Sequence, residues 1–119
     1  MSAHRIKSYS AESGFVFQYS FQLSRRAKRG WFTAGHEYLF EVSRDRKTSY
    51  IVPVFVRDDA ARDWEKRNGR ELSAAERYAA AKMRLFRAFD SLEDPESEAA
   101  EVSVDAENIH ALLESLGVD

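Results

Sequence analysis

Residues 15–24 alternate between apolar and polar positions, with Phe15, Phe17, Tyr19, Phe21 and Leu23 on one side and Gln18, Ser20, Gln22 and Ser24 on the other. A period of two predicts a half-buried β-strand. Tyr38, Phe40 and Val42, opposed by Glu37 and Glu41, predict a second strand that ends in the polar turn Ser43-Arg44-Asp45-Arg46-Lys47. A third run, Tyr50 to Arg57, is rich in β-branched residues on both faces. Pro53 inside it lacks the N–H of a ladder bond, which places this strand at a sheet edge or at a bulge. The three strands form an antiparallel meander, and Arg25-Arg26-Ala27-Lys28-Arg29-Gly30 reads as a basic loop between the first two. Ile51 and Phe55, with Val16 and Leu39, would then form an apolar patch on the otherwise polar sheet face, to be covered by a helix or by a partner.

The period changes to three and four after residue 57. Asp58 or Asp59 can cap a short helix holding Ala60, Ala61 and Trp64, which Asn68-Gly69 stops by offering a left-handed position. Ser73-Ala74-Ala75-Glu76 reads as a capping box. The helix it opens runs to about Leu92, with Ala74, Tyr78, Ala81, Leu85, Ala88 and Leu92 on one stripe. The stripe is broad, flanked by Ala75, Ala79, Phe86 and Phe89, and suits packing on a sheet rather than a coiled-coil seam. Glu93 to Glu101 reads as an acidic linker, Val102 and Val104 as a short strand, and Asp105 as the cap of a last helix carrying Ile109, Leu112, Leu113 and Leu116. The expected fold is α+β: a three-stranded antiparallel meander, two helices, a short strand and a C-terminal helix, with the helices on one sheet face. Residues 1–14 are expected as an N-terminal tail to this single domain spanning residues 1–119.

Length agrees with one core: 119 residues bury roughly 65% of the unfolded surface. The net charge of −2 is unevenly spread. Residues 1–87 carry all 18 Lys and Arg against 10 acids, whereas residues 88–119 carry ten acids and no Lys or Arg. Two elements of one fold that attract each other account for such a split, as does a basic binding face with an acidic appendage.

Several chemistries are absent. There is no cysteine, hence no disulfide, thiolate nucleophile or thiolate zinc site. His36-Glu37 resembles the start of a zinc-protease helix, but Phe40 stands where the second histidine belongs, and His4 and His110 are distant in sequence. Asp90 to Glu101 has the length of a calcium loop, yet Leu92 replaces a ligand and Pro95 the required glycine. No phosphate-binding glycine loop and no nucleophile elbow occurs. The expectation is therefore no catalytic residue, no metal and no cofactor. The longest apolar run, Ile51 to Val56, is six residues against the roughly 20 of a membrane-spanning helix, and no apolar stretch follows the N-terminus as in a signal peptide. No membrane partner and a cytoplasmic location are the default expectations.

Function is not readable from these patterns directly. The first expectation is a small non-enzymatic domain that binds a protein, or another copy of itself, across Val16, Leu39, Ile51 and Phe55. An alternative is nucleic-acid binding through the 25–32 loop, with Arg25, Arg26, Lys28 and Arg29 on phosphates and Trp31 and Phe32 stacking on bases. A further alternative is an inhibitor-like role in which the acidic end occupies a basic groove on a partner.

Overall fold

The computed structural model describes residues 5–91 and 102–117. Strands β1 (Lys7–Ser10), β2 (Val16–Arg29), β3 (Thr33–Ser43), β4 (Tyr50–Arg57) and β5 (Ser103–Val104) lie in one sheet in sequence order. Helices α1 (Asp58–Asn68) and α2 (Ala74–Ser91) connect β4 to β5, and α3 (Ile109–Glu114) follows. The architecture is α+β, with the β2–β3–β4 meander at its centre. The sheet is mixed rather than wholly antiparallel, because β5 pairs parallel to β4 through Phe55↔Ser103 and Val56↔Val104. A parallel pair needs a crossover of a dozen or more residues, and α1 with α2 supplies it.

Four local readings are corrected. Residues 7–10, expected as tail, form β1 on the outer side of β2, with Tyr9 opposite Phe17. Only Tyr9 of those four residues is large and apolar, so alternation could not announce the strand; its ring stacks on Phe86 at 4.2 Å, and this tertiary contact selects it. The basic loop does not exist as a loop: Arg25 to Arg29 are the last residues of β2, and the turn is confined to Gly30-Trp31-Phe32, with Gly30 at φ 71°. Neither Asp58 nor Asp59 caps α1; the N-cap is Arg57, without a side-chain cap bond. The two carboxylates instead hold Arg26 at 2.6 Å and Arg57 at 2.7 Å.

Asp105, expected as the cap of the last helix, instead holds the turn before it, accepting from the Glu107 and Asn108 N–H groups at 2.9 and 3.1 Å, and the N-cap of α3 is Asn108 without a side-chain cap bond. The end of α1 and the start of α2 are as the chain implies. Gly69 ends α1 at φ 67° and donates to the Glu65 carbonyl at 2.9 Å. The Glu76 N–H donates to Ser73 Oγ at 3.1 Å while the Ser73 N–H donates to Glu76 Oε1 at 2.9 Å, the reciprocal bonds of a capping box. Leu92 and the expected acidic linker 93–101 lie outside the described residues.

All three helices pack on one face of the sheet. Phe17 stacks on Phe89 at 4.1 Å, Tyr19 meets Phe86 edge-on, and Phe21 meets Tyr78 edge-on. Phe40, Val42, Val52, Val54 and Val56 complete the sheet side of the core, opposite Leu85 of α2, Trp64 of α1, and Ile109, Leu112 and Leu113 of α3. Each such side chain contributes about 1.5–3 kcal/mol by leaving water. The described part of the acidic end is therefore built into the body. Its burial is mainly apolar, reinforced by His110 Nε2 on Asp63 at 3.0 Å.

Candidate interaction surface

The helices leave the opposite face of the sheet bare among the described residues, and its composition follows from register. A bulge falls between Phe21 and Leu23: Phe21 pairs with Phe40, but Leu23 pairs with Leu39. The extra residue, Gln22, reverses the parity of β2. Leu23 therefore leaves the side of Phe17, Tyr19 and Phe21, where alternation put it, and joins Leu39 on the bare face. Leu39 in turn pairs with Pro53. Running outward from this apolar row, one side carries Ser20–Glu41–Ile51, then Ser8–Gln18–Ser43, then Ser10–Val16; the other carries Arg25–Glu37–Phe55, then Ala27–Gly35–Arg57, then Arg29–Thr33.

Of the four residues expected on this surface, Val16 (50% exposed), Ile51 (48%) and the half-buried Leu39 are placed there as exposed or partly exposed groups. Phe55 points to the same face but is 1% exposed, which corrects its assignment as a contact residue. Its ring lies over Gly35 and under the Arg29 guanidinium, 4.6 Å from the ring centre. Leu23, 46% exposed, takes its place on the surface. Nothing local signals the bulge, so the sequence pattern hides this residue.

Pro53 explains how the surface ends at β4. The Phe55 N–H donates to the Val102 carbonyl at 3.1 Å, so by alternation the nitrogen at 53 points the same way, toward the edge that β5, only two residues long, does not cover. A proline there presents no free donor to a passing strand.

Basic residues of β2 are divided between the two faces and largely neutralised. Arg25 contacts Glu37 at 2.9 Å, and Arg29 contacts the same carboxylate at 3.7 Å. On the helix side, Arg26 grips Asp58 through two bonds of 2.7 and 2.6 Å and holds the Asp58 carboxyl below its usual range. Lys28 has no ion pair among the described residues. His36 sits 3.3 Å from Arg26 Nη1, and burial, then Arg77 and Arg26, lower its pKa and favour the uncharged ring. At the end of the arm Trp31 and Phe32 are 90% and 97% exposed. They share the arm with the arginines, but three of the four cations already have carboxylate partners.

Elsewhere there is little to hold a small ligand. The hollow between Gln18, Ser20, Glu41, Arg46 and Lys47 measures about 210 Å³ and that beside Arg26, Ala27, Lys28 and Ala34 about 310 Å³; both are wide open, whereas ordinary ligand pockets of roughly 300–1,000 Å³ enclose most of their ligand. Asp45, in the turn after β3, is spent on that turn, accepting from the Thr48 and Lys47 N–H groups, which hold its carboxyl at about 2. Among the described residues no three His, Cys, Asp or Glu side chains are grouped to bind a metal, and no helix is long and apolar enough to cross a membrane. In comparisons with known proteins, no family model, no curated protein and no solved structure matches this chain.

Proposed function

We propose that this is a non-enzymatic protein-interaction domain that docks through the bare face of its sheet. The observation that carries this reading is the position of Leu23: the bulge at Gln22 forgoes a regular ladder step and puts a leucine beside Leu39 and Pro53 on the face that the molecule's own helices do not cover. Eight large apolar side chains are exposed among the described residues, and Val16, Leu23 and Ile51 are three of them on this one face. Leu23, Leu39, Pro53 and Ile51 adjoin one another, with Val16 set apart beyond Ser20 and Gln18; an exposed apolar strip with a charged surround, here Arg25, Glu37 and Glu41, is the pattern of a protein contact. Phosphate binding is the less supported use of the arm, since counterion release requires cations that are free to exchange partners.

The test is position-specific photo-crosslinking in the native host. A photoreactive residue at position 23 should capture protein, and the same residue at exposed Lys66 on α1 should not. Equal yields from both positions, or none from position 23, would overturn the assignment of the face.

A further inference from the structure

The geometry points to the tip of the arm as a docking element for an anionic lipid surface, a second contact that does not depend on the bare face. Strand β4 accompanies the hairpin only as far as Gly35↔Arg57. Beyond that pair the last rows, Lys28–Ala34 and Arg29–Thr33, belong to β2 and β3 alone, and the turn Gly30-Trp31-Phe32 closes them. Trp31 and Phe32 are 90% and 97% exposed, more than any other large apolar residue among those described. A methyl group built on Gly30 would meet nothing within 4 Å, so the turn projects into open space. The core does not use the two rings, and two adjacent aromatics left in water mark a contact rather than a packing need.

Charge along the arm selects the occupant. No acid occurs between Glu12 and Glu37, whereas Arg25, Arg26, Lys28 and Arg29 fall in that interval. With their partners Glu37 and Asp58 counted, the arm keeps two positive charges. Order matters as much as the sum. Measured from the tip, the rings come first, and exposed Lys28, without an ion pair among the described residues, comes next. Glu37 stands four residues behind Thr33, roughly 13 Å along the strand. An apolar element rests about 5–10 Å into a bilayer interface, which leaves that carboxylate in water. Tryptophan suits such a depth because its body is apolar and its N–H polar, and a cation just behind it meets the negative leaflet. A protein partner would need a pocket fitted to two rings on a projecting turn. Nucleic acid would need free cations along the arm, whereas Arg25, Arg26 and Arg29 are engaged. A bilayer needs neither. The expectation of no membrane partner rests on the lack of a spanning segment, and surface docking requires none. One tip with a single unpaired cation gives weak, reversible attachment.

The chain has two tryptophans, and Trp64 is 1% exposed, so a change in emission on binding reports Trp31. With excess vesicles of phosphatidylserine and phosphatidylcholine in equal amounts, the emission of the full protein should move to shorter wavelength, and the protein should float with the lipid. Lys28→Ala should weaken this binding about fivefold, the share of one cation at an anionic surface. Joint Trp31→Ala and Phe32→Ala should abolish flotation with the circular dichroism spectrum unchanged, because neither ring belongs to the core. If that variant perturbs the fold, the parent's emission shift and Lys28→Ala decide. Neither shift nor flotation with the anionic vesicles overturns the inference. Equal binding to phosphatidylcholine alone overturns the choice of an anionic surface. Quenching of Trp31 by an oligonucleotide, with no response to vesicles, overturns the lipid assignment in favour of nucleic acid. Photo-capture at position 23 is read separately, so the docking face stands or falls on its own.

Discussion

Phe55 lies on the uncovered face of the sheet and is nevertheless buried, because Gly35 on the neighbouring strand has no side chain to hold it off. A methyl group built on Gly35 would stand 2.9 Å from Phe55 Cζ and clash with the Val56 carbonyl oxygen. Backbone cannot yield as a flexible side-chain end can. Gly35→Ala is therefore expected to destabilise the protein by about 1–3 kcal/mol, the cost of overpacking, read as a lower midpoint in urea or heat. An unchanged midpoint would show that β3 and β4 separate freely here.

The Tyr9 hydroxyl donates to Asp90 at 2.9 Å and ties β1 to the end of α2, where the Glu12 N–H also reaches the same carboxylate at 2.9 Å. Burial first, then Asp90, pushes the Tyr9 phenol up to about 12 from 10. The folded state thus favours the neutral phenol. Its stabilisation is complete below pH 10 and is lost as pH rises from 10 toward 12. Tyr9→Phe should be less stable than the parent below pH 10, and the gap in melting temperature should close over that interval. The other tyrosines titrate in both proteins and cancel in the difference. A gap that stays constant with pH would deny the link to Asp90.

At the start of α2, Ser73→Ala removes the acceptor for the Glu76 N–H and should cost about 1 kcal/mol, a fall in melting temperature of roughly 4 °C. Glu76 itself is held at about 2, chiefly by Arg70 at 2.7 Å and then by the Ser73 N–H. A depressed carboxyl stabilises the fold above its ordinary value of 4.5, and that contribution is lost as pH falls from there toward 2. The difference between the parent and Glu76→Gln should shrink over that interval.

How far the fold was legible depended on whether the cause was local. Ser73 with Glu76, and Asn68 with Gly69, act within a few residues, and their bonds are where the spacing put them. Strand β1 was not legible because Tyr9 takes its meaning from Phe86 and Asp90, about 80 residues away. Leu23 was assigned to the wrong face because a bulge at Gln22 has no sequence signature of its own, and one added residue inverts every side chain after it. Arg25 to Arg29 looked like a solvated loop because charge suggests exposure; the alternation of Arg25 and Arg29 against Arg26 and Lys28 is that of a strand, and Glu37 and Asp58 supply the counter-charges.

The surface and the core of this face separate under substitution. Ile51 pairs with Glu41 at the margin of the sheet and is 48% exposed, so Ile51→Asp should change stability by no more than about 0.5 kcal/mol. Phe55, four residues on and of the same parity, is 1% exposed, and Phe55→Ala should cost about 3–5 kcal/mol, as for any buried aromatic. The two variants also differ in what they report. Ile51→Asp removes apolar contact surface from a folded domain, and weaker association with unchanged melting is its expected signature. Phe55→Ala leaves a cavity between Gly35 and Arg29, and any loss of association it causes should be accompanied by early melting. Should Ile51→Asp instead melt as early as Phe55→Ala, Ile51 would belong to the core, and the bare face would have no apolar margin at β4 with which to meet a partner.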